Sequence, residues 1–165
     1  MIGHKNILFC TDFSEDANVA FIHALGLAKK YSARLHILHV SGPTHASCGQ
    51  IGDGQSPQRT DGDGSQFDEE QAKRVKAALK EAYENRLSGL KTHVFVVEFG
   101  SPDIGIIQYA KENEIDVIVM GALGKAELDK IEHGATVANV SKYAQCRVTA
   151  LRNPAEQFTL PVQMY

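Results

Sequence analysis

The 165-residue chain is 43% hydrophobic and 22% charged, with a formal net charge of −3, which fits one globular domain with a single core and excludes a disordered or fibrous chain. The small negative charge and the lack of a basic stripe with interleaved aromatics exclude general attraction to nucleic acid or to an anionic membrane. No apolar run could span a bilayer, the first residues leave no room for a signal peptide, and three scattered cysteines make no disulfide framework, so the expectation is a cytoplasmic protein.

The run Asn6–Cys10 predicts a buried first strand. Ser14 then offers an N-cap, with Glu15 and Asp16 near the positive end of the following helix. Ala17, Ala20, Phe21, Ala24, Leu25 and Ala28 recur at helical spacing and give that helix one apolar face. Arg34–Val40 is the second strand.

The stretch 41–65 carries six glycines and two prolines with almost no large apolar side chain, and reads as a long mobile loop, a candidate lid or partner site. Ser65-Gln66-Phe67-Asp68 matches a capping box and predicts a helix whose Val75, Leu79, Ala82 and Leu87 face the core. His93–Glu98 is the third strand. Ser101-Pro102-Asp103 combines a cap, a first-turn proline and an acid near the dipole, and Ile104, Ile107 and Ala110 continue that helix. Asp116–Met120 is the fourth strand, Val137, Val140 and Ala144 mark the last helix, and Arg147–Leu151 is the fifth strand.

Five strands alternating with helices predict an α/β fold: a three-layer, Rossmann-like open parallel five-stranded sheet with helices on both faces. The domain spans 1–152. The tail 153–165 alternates at Phe158, Leu160, Val162 and Met164, which suits an edge strand or dimer arm as well as a frayed terminus.

Ligands in such sheets bind beyond the C-terminal strand ends, where the strand order reverses. Two segments occupy such ends. Thr11-Asp12-Phe13 leaves the first strand, where a carboxylate can accept hydrogen bonds from a ribose diol or simply cap the helix. Met120-Gly121-Ala122-Leu123-Gly124 leaves the fourth, and Gly134 opens the last helix. The glycines permit close backbone approach, turn amides can form an anion nest, and a helix start favours phosphate.

Other groupings lead nowhere sharper. His45 and Cys48 lack a second ligand pair for zinc, and His36 and His39 point to opposite faces of their strand. Cys10 reads as packing. Ser14 sits in no nucleophile elbow, and the chain has no Walker A motif.

The opening Ile7-Leu8-Phe9-Cys10-Thr11-Asp12-Phe13-Ser14, the Leu38-His39-Val40 strand end, Asp116–Gly121 and the Gly-x2-Gly-x9-Gly spacing at Gly121, Gly124 and Gly134 resemble the universal stress protein family, from Lys5 to about Arg152. The resemblance implies a homodimer with the fold of the adenine-nucleotide alpha hydrolases and, in one branch, bound ATP, here with Mg. Carried onto this chain, Thr11 and Asp12 would lie near the adenosine and Val40 would contact the base through its backbone. Gly121, Gly124, Lys125, Gly134, Ala135 and Thr136 would surround the phosphates, and Phe13 and Met120 complete the expected nucleotide-binding residues. Ala135 stands where the ATP-binding branch has Ser or Thr, and one lost hydrogen bond to a charged group costs about 1.5–3 kcal/mol. Residues 125–133 hold two lysines and three acids, a weakly negative surround for a triphosphate.

The expectation is a stress-response regulatory protein that holds ATP or a related adenine nucleotide as a conformational signal. The alternative is a dimeric interaction module of the same family that has lost nucleotide binding. An enzyme comes last, with Asp12 or His133 the only formal bases for a slow ATP hydrolysis. The sequence names no catalytic residue, no metal ligand and no particular protein partner.

Overall fold

The computed structural model describes residues 3–42, 64–122 and 135–153. Five strands, β1 (Asn6–Cys10), β2 (Arg34–Ser41), β3 (His93–Phe99), β4 (Val117–Gly121) and β5 (Arg147–Leu151), form one sheet in the order β3-β2-β1-β4-β5. Every neighbouring pair is parallel, as crossover helices require. The helices are α1 (Glu15–Tyr31), α2 (Gly64–Tyr83), α3 (Pro102–Glu112) and α4 (Ala135–Tyr143), with a single 3-10 turn at Glu84–Arg86.

The two-residue period of the strands sorts their side chains into two cores. Ile7, Phe9, Leu35, Ile37, Val117 and Val119 meet α1 and α2 on one face, packing on Ala17, Ala20, Phe21, Ala24 and Leu79. Leu8, Cys10, Leu38, Val40, Ile118 and Met120 meet α3 and α4 on the other, against Ile106, Ala110, Val137 and Val140. Both faces are covered, which is why the central strands are continuously apolar. Each fully buried side chain such as Phe9 or Ile118 contributes about 1.5–3 kcal/mol of apolar transfer.

Local chemistry sets the helix ends. Ser14 holds an extended backbone, and its hydroxyl accepts the Ala17 N–H at 3.2 Å. α1 stops at Ser32, which adopts φ 53 and returns its N–H to the helix. Arg86 closes the α1–α2 core from outside, its guanidinium 4.5 Å from the Phe21 ring centroid.

Several expectations shift: Leu87 and Ala144 lie just past the ends of α2 and α4, and β4 runs one residue later than Asp116–Met120. α2 begins at Gly64, ahead of the expected cap at Ser65. At α3 the serine does not cap the backbone: Ser101 Oγ donates to Asp103 Oδ1 at 2.5 Å, and that carboxylate accepts the Ile104 N–H at 2.9 Å. Ile104 is 57% exposed, and Ile106 carries the buried face with Ala110. Residues 43–63 of the expected loop and 154–165 of the expected tail lie outside the described residues.

Candidate functional site

The chain runs β1, β2, β3 outward to one edge, then crosses to β4 and β5 on the other side of β1. The topological switch point therefore falls between β1 and β4, where Cys10 is paired with both Leu38 and Met120. Beyond this row lie Thr11-Asp12-Phe13 from β1, Val40 from β2 and Gly121 from β4.

The turn after β1 is held by its own side chains. The Thr11 N–H extends the ladder to Leu38 O at 2.9 Å. Its hydroxyl accepts the Phe13 N–H at 3.0 Å, and Asp12 Oδ1 accepts the Ser14 N–H at 3.0 Å. These are short-range turns of the kind Thr and Asp form readily. Asp12 thus performs the local role the sequence allowed, with one oxygen, while standing half-buried at the switch point. Phe13 takes φ 62, a left-handed backbone that is costly for a bulky residue.

Strand alternation aims two backbone segments toward the switch point. Leu38 turns its polar backbone toward β1, so Val40, two residues on, points the same way past the end of β1. Ala122 N–H bonds Leu151 O on β5 at 2.7 Å, so Gly121 before it faces the β1 side. The Val40 backbone groups thus face the β1 side, while its side chain is buried under α3, where a Cβ on Gly105 would meet the Val40 methyls at 3.1 Å.

Gly121 has a reason to be glycine that is not a ligand. A Cβ there would stand 2.9 Å from Ala17 N, Asp16 C and Asp16 Cβ. The first turn of α1 occupies that space, most of it backbone that cannot yield. Ala135 is exposed and Thr136 half-buried in the first turn of α4, and Met120 is buried in the α3–α4 core. Gly124, Lys125 and Gly134 lie outside the described residues, as do His133, His45 and Cys48.

Tyr83 escaped the sequence reading, as did the tertiary contacts of His39, Asp16 and Asp103. Tyr83 at the end of α2 is 1% exposed and shares a 2.6 Å hydrogen bond with Thr11 Oγ1. Its spacing of four from Leu79 was the available signal. His39 Nδ1 donates to the Thr11 carbonyl at 2.7 Å, and its ring lies 5.1 Å from that of Phe13. Asp16 is buried and accepts the Asn153 N–H at 2.8 Å, tying the end of β5 to α1. Asp103 joins α3 to α4 by accepting from Asn139 Nδ2 at 2.7 Å, and the hydrogen bonds from Ser101, Asn139 and Ile104 lower its pKa.

His36 faces away from this site, as the odd spacing from His39 requires. It is buried against Tyr109 of α3, with Nδ1 2.8 Å from the phenol oxygen, and burial reinforced by Arg34 lowers its pKa from 6.5 to about 4. Burial raises the Cys10 thiol, in keeping with a packing role. Among the described residues no helix is long and apolar enough to cross a membrane, and no group of three or more His, Cys, Asp or Glu could hold a metal ion.

The profile of the universal stress protein family matches residues 3–152. A Staphylococcus aureus protein assigned to that family is 31% identical over 153 residues, covering 92% of this chain and 86% of its own length. The universal stress protein UspA from Lactobacillus plantarum is 26% identical, with a TM-score of 0.73 over 92% of this chain and 100% of that one. A universal stress protein solved in complex with cAMP has a TM-score of 0.61 over 90% of this chain and 97% of that one; at 18% identity the likeness is one of fold.

Proposed function

This chain belongs to the universal stress protein family, and on that footing we propose that it is a regulatory protein of the stress response that binds ATP or a related adenine nucleotide between β1 and β4. The observation that carries the reading is the register Cys10↔Met120 at the switch point, which brings the Asp12 turn and the Gly121 strand end to one crevice. A protein of the same fold has been solved with cAMP, which makes a cyclic adenine nucleotide one of the ligands to try. The adenosine end has the better support. Val40 turns backbone polar groups toward β1, and the half-buried Asp12 is the carboxylate that would accept from a ribose diol.

The phosphate end is supported by less. Ala135 brings no hydroxyl, and Thr136 follows it half-buried at the start of α4. With no metal-ligand cluster among the described residues, the reading assigns Mg no set of protein ligands. Nor does it assign a catalytic residue: the nucleotide acts as a signal, in a cytoplasmic homodimer.

A second reading keeps the fold and the dimer and drops the nucleotide. Its specific support is that Gly121 is accounted for by α1, and one oxygen of Asp12 by Ser14. Isothermal titration of the purified protein with Mg-ATP, AMP and cAMP separates the two. The absence of heat at millimolar ligand would sink the first reading. Adenine nucleotide released from freshly purified protein and identified by mass spectrometry would sink the second.

A further inference from the structure

We propose that Tyr83 is a positioning residue for the nucleotide crevice, its hydroxyl fixing the direction of the Asp12 carboxylate through Thr11. The inference rests on the nucleotide-binding reading and adds the residue that orients the site.

Tyr83 lies with its ring against Phe9 and Phe21, at centroid distances of 5.3 and 4.8 Å. A phenol in such surroundings must find a partner for its oxygen, and Thr11 Oγ1 supplies it at 2.6 Å. The same Thr11 oxygen accepts the Phe13 N–H, while His39 holds the Thr11 carbonyl. Asp12 thus lies between two residues that are both clamped. The left-handed Phe13 backbone is strained and persists only where its surroundings over-determine it. Here they do: the Phe13 ring stacks on Tyr83 at 6.4 Å with an interplanar angle of 22°, and packs on His39. An extended Phe13 would break its bond to Thr11 and swing the Asp12–Ser14 turn out of place.

The hydroxyl can be removed without the ring. Full-length wild type, Tyr83→Phe, Asp12→Ala and the double variant are titrated calorimetrically with AMP and with Mg-ATP, and each is melted. Tyr83→Phe is expected to melt close to wild type and to bind roughly tenfold more weakly, the scale of one hydrogen bond. That loss should vanish in the Asp12→Ala background, because the two residues act as a unit. Should Tyr83→Phe fold poorly, Thr11→Val decides: with the linking hydroxyl gone it should lose the same factor, and none of it in the Asp12→Ala background. Wild-type affinity in Tyr83→Phe or Thr11→Val, or an equal loss with and without the Asp12 carboxylate, overturns the proposal and leaves the nucleotide reading standing. Failure of the wild type to bind any adenine nucleotide overturns both.

Discussion

Gly121 at the end of β4 approaches α1 so closely that a Cβ on it would stand 2.9 Å from the amide nitrogen of Ala17. Gly121→Ala must therefore push the first turn of α1 off the sheet, and is expected to destabilise the protein by about 1–3 kcal/mol, the usual scale of overpacking. Urea unfolding with and without nucleotide checks this. Lost binding with unchanged stability would mean that the glycine serves the ligand and not the helix.

Phe13 provides a test of backbone strain in which the usual order of residues reverses. Phe13→Ala and Phe13→Gly both lose the ring contacts with His39 and Tyr83, but only alanine keeps a Cβ at φ 62. The left-handed penalty of about 1–2 kcal/mol outweighs the extra chain entropy glycine loses on folding, about 0.4–1 kcal/mol. The glycine variant should thus be the more stable of the two, by about 0.5–1 kcal/mol. Chemical denaturation of the pair measures it, and a more stable alanine variant would show that the turn relaxes.

His36 makes stability depend on pH in one window. Its pKa is lowered from 6.5 to about 4 by burial and by Arg34, so between those values the unfolded chain takes up a proton that the folded one refuses. Stability should fall as pH drops from about 6.5 to about 4 and gain nothing from this group above that range. Denaturation curves at several pH values for wild type and His36→Gln isolate the effect, since the variant should lack this part of the slope. Identical slopes would assign the acid sensitivity to carboxylates instead.

Asp16 anchors the end of β5 through the Asn153 N–H. Asp16→Ala should cost about 1–3 kcal/mol, the penalty for stripping a partner from a hydrogen-bonded polar group. Amide exchange is expected to quicken first around Leu151–Asn153. Uniform quickening across the sheet would point to a wider role in α1.

Much of the fold was legible because it rests on local signals. β1 and β5 run over the residues expected, Asn6–Cys10 and Arg147–Leu151, since an apolar run bounded by turn residues defines a strand. Ser14 caps α1 as its position before two acids suggested. At α3 the same kind of signal misled: Ser101 and Asp103 compete for one N-terminal donor, and the carboxylate takes it.

The site was less legible, because its partners meet only in the folded chain. The glycine at 121 suggested close backbone approach to a ligand, whereas what its missing Cβ makes room for is Asp16 and Ala17 of α1. Nothing about a phenylalanine announces a positive φ. Tyr83 could be placed on the buried stripe of α2, but its meeting with Thr11 depends on how that helix lies across the sheet.

The sheet order also has a consequence for how the chain assembles during synthesis. Ile7 pairs with Leu35 on one side and with Val117 on the other. The β1–β2 contact closes early, while the chain is still short. The β1–β4 contact closes a far longer loop, at greater entropic cost and a slower rate. A nascent chain that has emerged as far as β3 can lay down three of the five strands with the central strand exposed along one edge, a template for unwanted pairing. The proposed site between β1 and β4 comes into being at the step that removes that edge, so a ligand bound there would stabilise the finished sheet and not its aggregation-prone three-strand precursor.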